Sequence, residues 1–231
     1  MKTSNILKRL GGRCVRAGRA AALAGFAAAS LSMAGCAILG ANAEYAVYAP
    51  QPRFTPPVEK GAVDWQLQVQ QPHSGETITA PNLLVMPTPA VYEVFPAARW
   101  RDPPPLLVGT LLLQAFEQSG RIVGVDRAAS GVNTDYVLSS DLRNFQIEIV
   151  GGVPIAKVTL HARLLGFADN RIVAARTFEA TSPAAAKDAA SASIAIETTL
   201  ATLLPQVRDW TFDAAGKAWQ ARSSTRTDIR Q

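Results

Sequence analysis

The sequence predicts an α/β fold, a mixed and largely antiparallel sheet packed against helices in a single-domain sandwich. Three observations predict it. Stretches of period-2 alternation come first, a Pro-led Leu-rich helix interrupts them, and a run of three alternating strands closes on a second long helix. The 231 residues are 48% hydrophobic and 18% charged, which suits one sizeable core rather than a fibre or a disordered chain. No internal repeat or interdomain linker divides them.

Taken in order, residues 44–48 and 64–70 alternate as half-buried strands, the second presenting Trp65, Leu67 and Val69 on one face. The Pro-rich residues 50–57 between them form a loop, and a polar loop over 72–80 leads to two short strands, 82–86 and 91–95, parted by Pro87 and Pro89. The first helix opens with Asp102 as N-cap and Pro103 at its first position, runs over 106–119, and stops at Gly120. Its stripe of Leu106, Leu107, Leu111, Leu112, Ala115 and Phe116 is too apolar for water and must lie on a sheet. A short strand over 121–125 follows.

Residues 135–149 and 155–167 read as long neighbouring strands joined across Gly151-Gly152, and 172–180 adds a third to make an antiparallel meander. Val158, Leu160, Ala162 and Leu164 alternate with Lys157, Thr159, His161 and Arg163, so one face is dry and the other wet. The second helix has Ser182 as N-cap and Pro183 at its first position. Ala189, Ala192, Ile196, Leu200, Leu203 and Val207 recur at threes and fours, with Pro205 kinking the last turn. The folded domain spans 44–212, and 213–231, lacking an apolar period, reads as a disordered tail.

The charge distribution narrows the function. The net charge of +5 suggests a nucleic-acid binder until the six cations of residues 1–35 are set apart. Without them the 23 basic residues fall to 17 against 18 acidic, and a nearly neutral body has no field for a phosphate backbone. The six cations precede an uncharged Ala-rich run over 20–35, which is too short and too weakly apolar for a spanning helix and reads as a secretory leader.

The leader ends Leu31-Ser32-Met33-Ala34-Gly35-Cys36, a junction that resembles a bacterial lipobox, with Met33 where Leu, Val or Ile is usual. Cys14 would be discarded with the leader, leaving Cys36 as the single thiol of an exported chain, with no disulfide partner. Acylation of its sulfur accounts for it, whereas an ordinary cleavage site would leave a bare thiol. Residues 36–43 are then the acylated Cys and a short tether. With Ala37 rather than Asp after the Cys, the sorting rule of enterobacterial lipoproteins points to the outer membrane.

Chemistry is sparse. The mature chain keeps only His73 and His161, lacks G-x-S-x-G, H-E-x-x-H, P-loop and G-x-G-x-x-G patterns, and gives no catalytic or metal residue and no cofactor motif. His161 falls on the polar side of its strand, and Asp141 and Arg143 can meet Lys157 or Arg163 in a solvated charge ladder. The segment Tyr92-Glu-Val-Phe-Pro-Ala-Ala-Arg-Trp-Arg101 gathers aromatics and arginines, which interfaces favour, so Tyr92, Phe95 and Trp100 are candidate partner contacts. For Trp100 a packing plug between strand and helix is the competing role.

The ordered combination is similar to a known family. It comprises the lipobox, Arg99-Trp100 before a Leu-rich helix ending Phe116-Glu-Gln-Ser-Gly120, Asp135-Tyr-Val-Leu138, Asp141-Leu-Arg-Asn-Phe145, Ala174-Ala-Arg-Thr-Phe178, and an Ala-rich helix closing on Trp210. Over about 44–210 this resembles the ABC-type transport auxiliary lipoproteins, partners of MCE-domain lipid transport systems, with paraquat-inducible protein C as the familiar example. The resemblance implies a non-enzymatic subunit, lipid-anchored at the outer membrane and facing the periplasm, whose partners are an MCE-domain protein and ABC transporter subunits. Homo-oligomer formation is a further implication, with no residue of this sequence pointing to it. Two other classes compete: an independent lipid-binding or envelope-assembly lipoprotein, and a periplasmic hydrolase using Asp141 and His161.

Overall fold

Alternation and turn chemistry build the centre of the molecule. In the computed structural model, which describes residues 44–57, 61–127 and 134–228, strands β6 (Tyr136–Val150), β7 (Val153–Gly166) and β8 (Ile172–Pro183) form the expected antiparallel meander. Gly151 (φ 57°) and Gly152 (φ 84°) make the two-residue turn between Val150 and Val153, a left-handed pair that side chains with a Cβ resist. Leu142, Leu160 and Phe178 stand in register across the three strands, and all are buried. The leader, Cys14 and Cys36 lie outside the described residues.

The other edge of β6 is shared. β2 (Leu67–Val69) pairs parallel with its start through Leu67↔Tyr136, and β3 (Asn82–Thr88) pairs parallel with its end through Val85↔Ile147. Between them His73 forms a single bridge to Asp141. β4 (Val91–Trp100) returns antiparallel to β3, β1 (Ala46–Tyr48) lies parallel to the end of β4, and β5 (Val125–Arg127) lies parallel to β2. The described strands therefore make one mixed eight-stranded sheet.

Two helices cover its dry face. α1 (Glu76–Thr79) is a single turn within the expected 72–80 loop, whereas α2 (Pro104–Glu117) and α3 (Ala189–Asp228) carry the core. Phe116 and Phe212 meet edge to face at 5.5 Å between ring centroids, and Trp65 stands edge-on to Tyr136 at 5.6 Å. Leu200, Leu203, Leu204 and Val207 of α3 are fully enclosed, each such side chain contributing about 1.5–3 kcal/mol by burial. Burial also raises the Tyr136 phenol above its usual 10.0, against the pull of Arg222 beside its ring. The Arg208 side chain, enclosed on α3, donates to the Asp209 carboxylate at 2.7 Å and to the Thr55 carbonyl at 2.9 Å, which pins the Pro-rich loop to the helix.

The helix ends differ from expectation for local reasons. Asp102 does not cap α2; its carboxylate accepts instead from Arg101 at 2.9 Å, and Pro103 holds the cap position. Pro103, Pro104 and Pro105 carry no N–H, so the carboxylate has no nearby donor to cap. Gly120 follows the helix end at φ 65°, the left-handed stop its position suggested. Ser182 and Pro183 do not open α3, because the ladder to β7 keeps them extended, with Pro183 opposite Ile155. Asp188 takes the capping role: its Oδ1 accepts from the Ser191 N–H at 2.7 Å and its Oδ2 from the Ser191 hydroxyl at 3.1 Å. Pro205 sits inside the helix rather than in its last turn. From Asp213 onward the chain is not a structureless tail, since α3 continues to Asp228 with Phe212 and Ala215 buried and Trp219 packed against the core. Tyr45–Gln231 forms a compact unit.

The cap gives a pH-dependent prediction. The Ser191 backbone N–H, then its hydroxyl, hold the Asp188 carboxyl below its ordinary 3.8. A carboxyl lowered in the fold stabilises it above the unfolded value and loses that contribution as pH falls through the lowered folded one. Asp188→Asn is expected to melt at a lower temperature than wild type at neutral pH, the two curves converging in acid. Thermal melts from pH 7 to pH 3 read this directly, and a gap that persists unchanged in acid would show that the carboxylate charge is not the cause.

Candidate functional site

The outer face of the meander holds the polar residues, and the structure pairs them with one another. Arg163 donates to Asp141 at 3.0 Å, His161 Nδ1 lies 2.9 Å from the Thr177 hydroxyl, and Thr159 donates to Glu179 at 3.0 Å. Lys157 sits 3.8 Å from Glu148 and 3.7 Å from Glu179. Asp141 and His161 are register partners, yet each side chain bonds elsewhere, so they do not form an acid–base pair. This is a charge ladder on a part-exposed sheet face, where each pair is worth about 0.2–1 kcal/mol.

One meeting was not legible in the sequence. The His73 N–H donates to the Ser140 carbonyl at 2.9 Å, and its own carbonyl accepts from the Leu142 N–H at 2.7 Å, which brings the 73–75 segment onto β6. The result is an open cleft of about 440 Å³ lined by His73, Ile78, Tyr92, Asp141 and Arg143. Arg143 reaches it because β6 bulges between Leu142 and Asn144, an extra residue that turns the side chain outward. Among the described residues no group of three metal-ligating side chains gathers there or elsewhere.

The aromatic segment divides into three environments along β4. Trp100 is 2% exposed and meets Phe145 edge-on at 5.5 Å, so it fills the core and offers no surface to a partner. Phe95 is half-buried against the core. Tyr92 is exposed at the mouth of the cleft. Beside them Arg99 stacks over the Tyr45 ring at 5.8 Å. β1 covers the outer edge of β4 only at Ala98–Trp100, so the edge from Val91 to Ala97 has no strand beside it among the described residues. Its side chains stay largely exposed, Val91, Tyr92 and Val94 among them. Such an edge is normally covered or blunted.

The profile of the ABC-type transport auxiliary lipoprotein component matches residues 45–207. The chain belongs to this family. An auxiliary transport lipoprotein of this kind is a membrane-anchored component of the cell envelope, and the family is one of transport subunits rather than enzymes. The crystal structure of protein XCC0632 from Xanthomonas campestris is 34% identical and superposes at a TM-score of 0.73, covering 76% of this chain and 99% of that one. A second crystal structure, of an uncharacterised protein, shares the fold alone at 11% identity and a TM-score of 0.51, covering 68% of this auxiliary lipoprotein and 97% of its own chain. Among curated proteins, none matches the sequence.

Proposed function

We propose that this auxiliary lipoprotein holds the periplasm-spanning MCE component of an ABC-type phospholipid transport system at the outer membrane, anchored by acyl chains on Cys36. One observation carries the reading: the family match begins at residue 45, a few residues after the lipobox-like junction ending in Cys36, and covers most of the folded body. A transport scaffold needs an anchor, a rigid body and a surface for the conduit. The half-exposed Phe95, the exposed Tyr92 and the open edge of β4 supply the last of these, because an extended segment of a partner can add to a free strand edge by main-chain hydrogen bonds. ATP hydrolysis then belongs to other subunits.

The test is recovery of an MCE-domain protein with this lipoprotein from crosslinked, detergent-solubilised envelope. Tyr92→Ala combined with Phe95→Ser is expected to weaken that recovery by roughly tenfold, as a pair of interface aromatics would. Repeated crosslinking that captures no MCE-domain protein would overturn the reading.

A further inference from the structure

Three connections meet at one end of the sheet. β3 runs parallel to β6, β7 returns from it, and β8 ends opposite the start of β7, so the β3–β4 tip, the β6–β7 turn and the passage from β8 to α3 lie side by side. In the sequence, 86–92, 149–156 and 180–186 contain no Asp, Glu, Lys, Arg or His. Val91, Val150 and Val153 are 46%, 55% and 49% exposed there. The opposite end differs. Phe167 and Ile172 are exposed at that end, but among Asp135, Asp169, Arg171 and Arg222, which cluster where β6 begins and β7 ends.

An uncharged aliphatic end is costly in water unless something covers it. Where the chain enters the fold says what does. β1 runs parallel to β4, so its N-terminal end, just after Glu44, faces the β3–β4 tip. The eight residues from Ala37 to Glu44 span at most about 28 Å when fully extended. β6 alone has 15 residues, or about 50 Å at the rise of a strand. A tether shorter than the sheet, attached toward the uncharged end, brings that end to the bilayer in preference to the charged one.

We infer that the uncharged end rests in the interfacial layer of the membrane that holds the acyl chains, with Val91, Val150 and Val153 entering it. This rests on the acyl-anchor reading of Cys36 and adds an orientation to it. The sheet then stands on the membrane, with the charged end farthest into the aqueous space.

Full-length lipidated protein in vesicles of phosphatidylethanolamine and phosphatidylglycerol tests this. Val91→Cys, Val150→Cys and Val123→Cys are each labelled on the new thiol with an environment-sensitive nitrobenzoxadiazole. Val123 is 99% exposed just before β5, toward the charged end, and serves as the reference. Labels at 91 and 150 are expected to shift to the blue on reconstitution and to be quenched by spin-labelled lipid, while the label at 123 stays water-like. Wild type, with its one mature thiol acylated, is expected to take no label; labelling of wild type would sink the anchor reading and this inference with it. Membrane-bound protein whose labels at 91 and 150 are as wet as that at 123 would sink the orientation alone and leave this end as a face for a protein partner.

Discussion

Replacing Cys36 by Ser is expected to move the protein from the membrane pellet to the soluble periplasmic fraction. The expectation is quantitative in origin. A buried methylene contributes about 0.8 kcal/mol, so one acyl chain binds a membrane reversibly while two or three make release negligible on the time of an experiment. Serine lacks the sulfur that would carry those chains, and among the described residues no helix is long and apolar enough to cross a bilayer in their place. A leader that stays attached to the variant could itself hold the protein in the membrane. A second chain, with residues 1–36 exchanged for the leader of a soluble periplasmic protein, removes that ambiguity. Fractionation with intact mass of the N-terminus reads both. Continued membrane association of the leader-exchanged chain at high salt would mean that the anchor lies elsewhere.

Trp100→Ala is the substitution within the described fold from which the largest loss is expected, about 3–5 kcal/mol of stability. Trp100 bridges the end of β4 and the central strand through Phe145, and its truncation leaves a cavity in a packed interior. Against a total of about 5–15 kcal/mol for a domain, that is roughly a fifth or more of what keeps the chain folded. The urea midpoint should fall accordingly, and Trp100→Phe, which keeps the ring contact and removes an indole N–H that has no partner among the described residues, should lose much less. Tyr92→Ala, on the exposed stretch of the same strand, should stay within about 0.5 kcal/mol of wild type. A Trp100→Ala protein as stable as wild type but deficient in partner recovery would return Trp100 to the interface.

How much of this was legible depended on how local the signal was. The meander was readable because Val158, Leu160, Ala162 and Leu164 alternate without a break and Gly151-Gly152 can hardly be anything but a tight turn. The start of α3 was misread because Ser182-Pro183 is a good helix opening in isolation, while the pairing of β8 with β7 holds it extended. The end of α3 was legible in principle: Phe212, Ala215 and Trp219 recur at three and four, but Asp213 and Lys217 on the other faces and Arg222 on the same face diluted the pattern. At the candidate site, the role of Trp100 turned on the length of β4, and the convergence of His73 with Asp141 turned on a bridge between distant segments. Neither carries a local signature. The bareness of the β3–β4 and β6–β7 tips was visible as missing charge, but only the topology brings them to one end.

The sharing of one edge of β6 among β2, His73 and β3 bears on how the molecule is made. None of these early segments has its central partner until residue 150 has been produced, and the clasp of Arg208 on Thr55 waits until the last helix is half made. Contacts so distant along the chain form slowly, since each closes a long loop before any reward is returned. A polypeptide exported amino terminus first therefore reaches the far side of its membrane with its first half unable to mature, and that waiting period is when escort by a holding chaperone matters most.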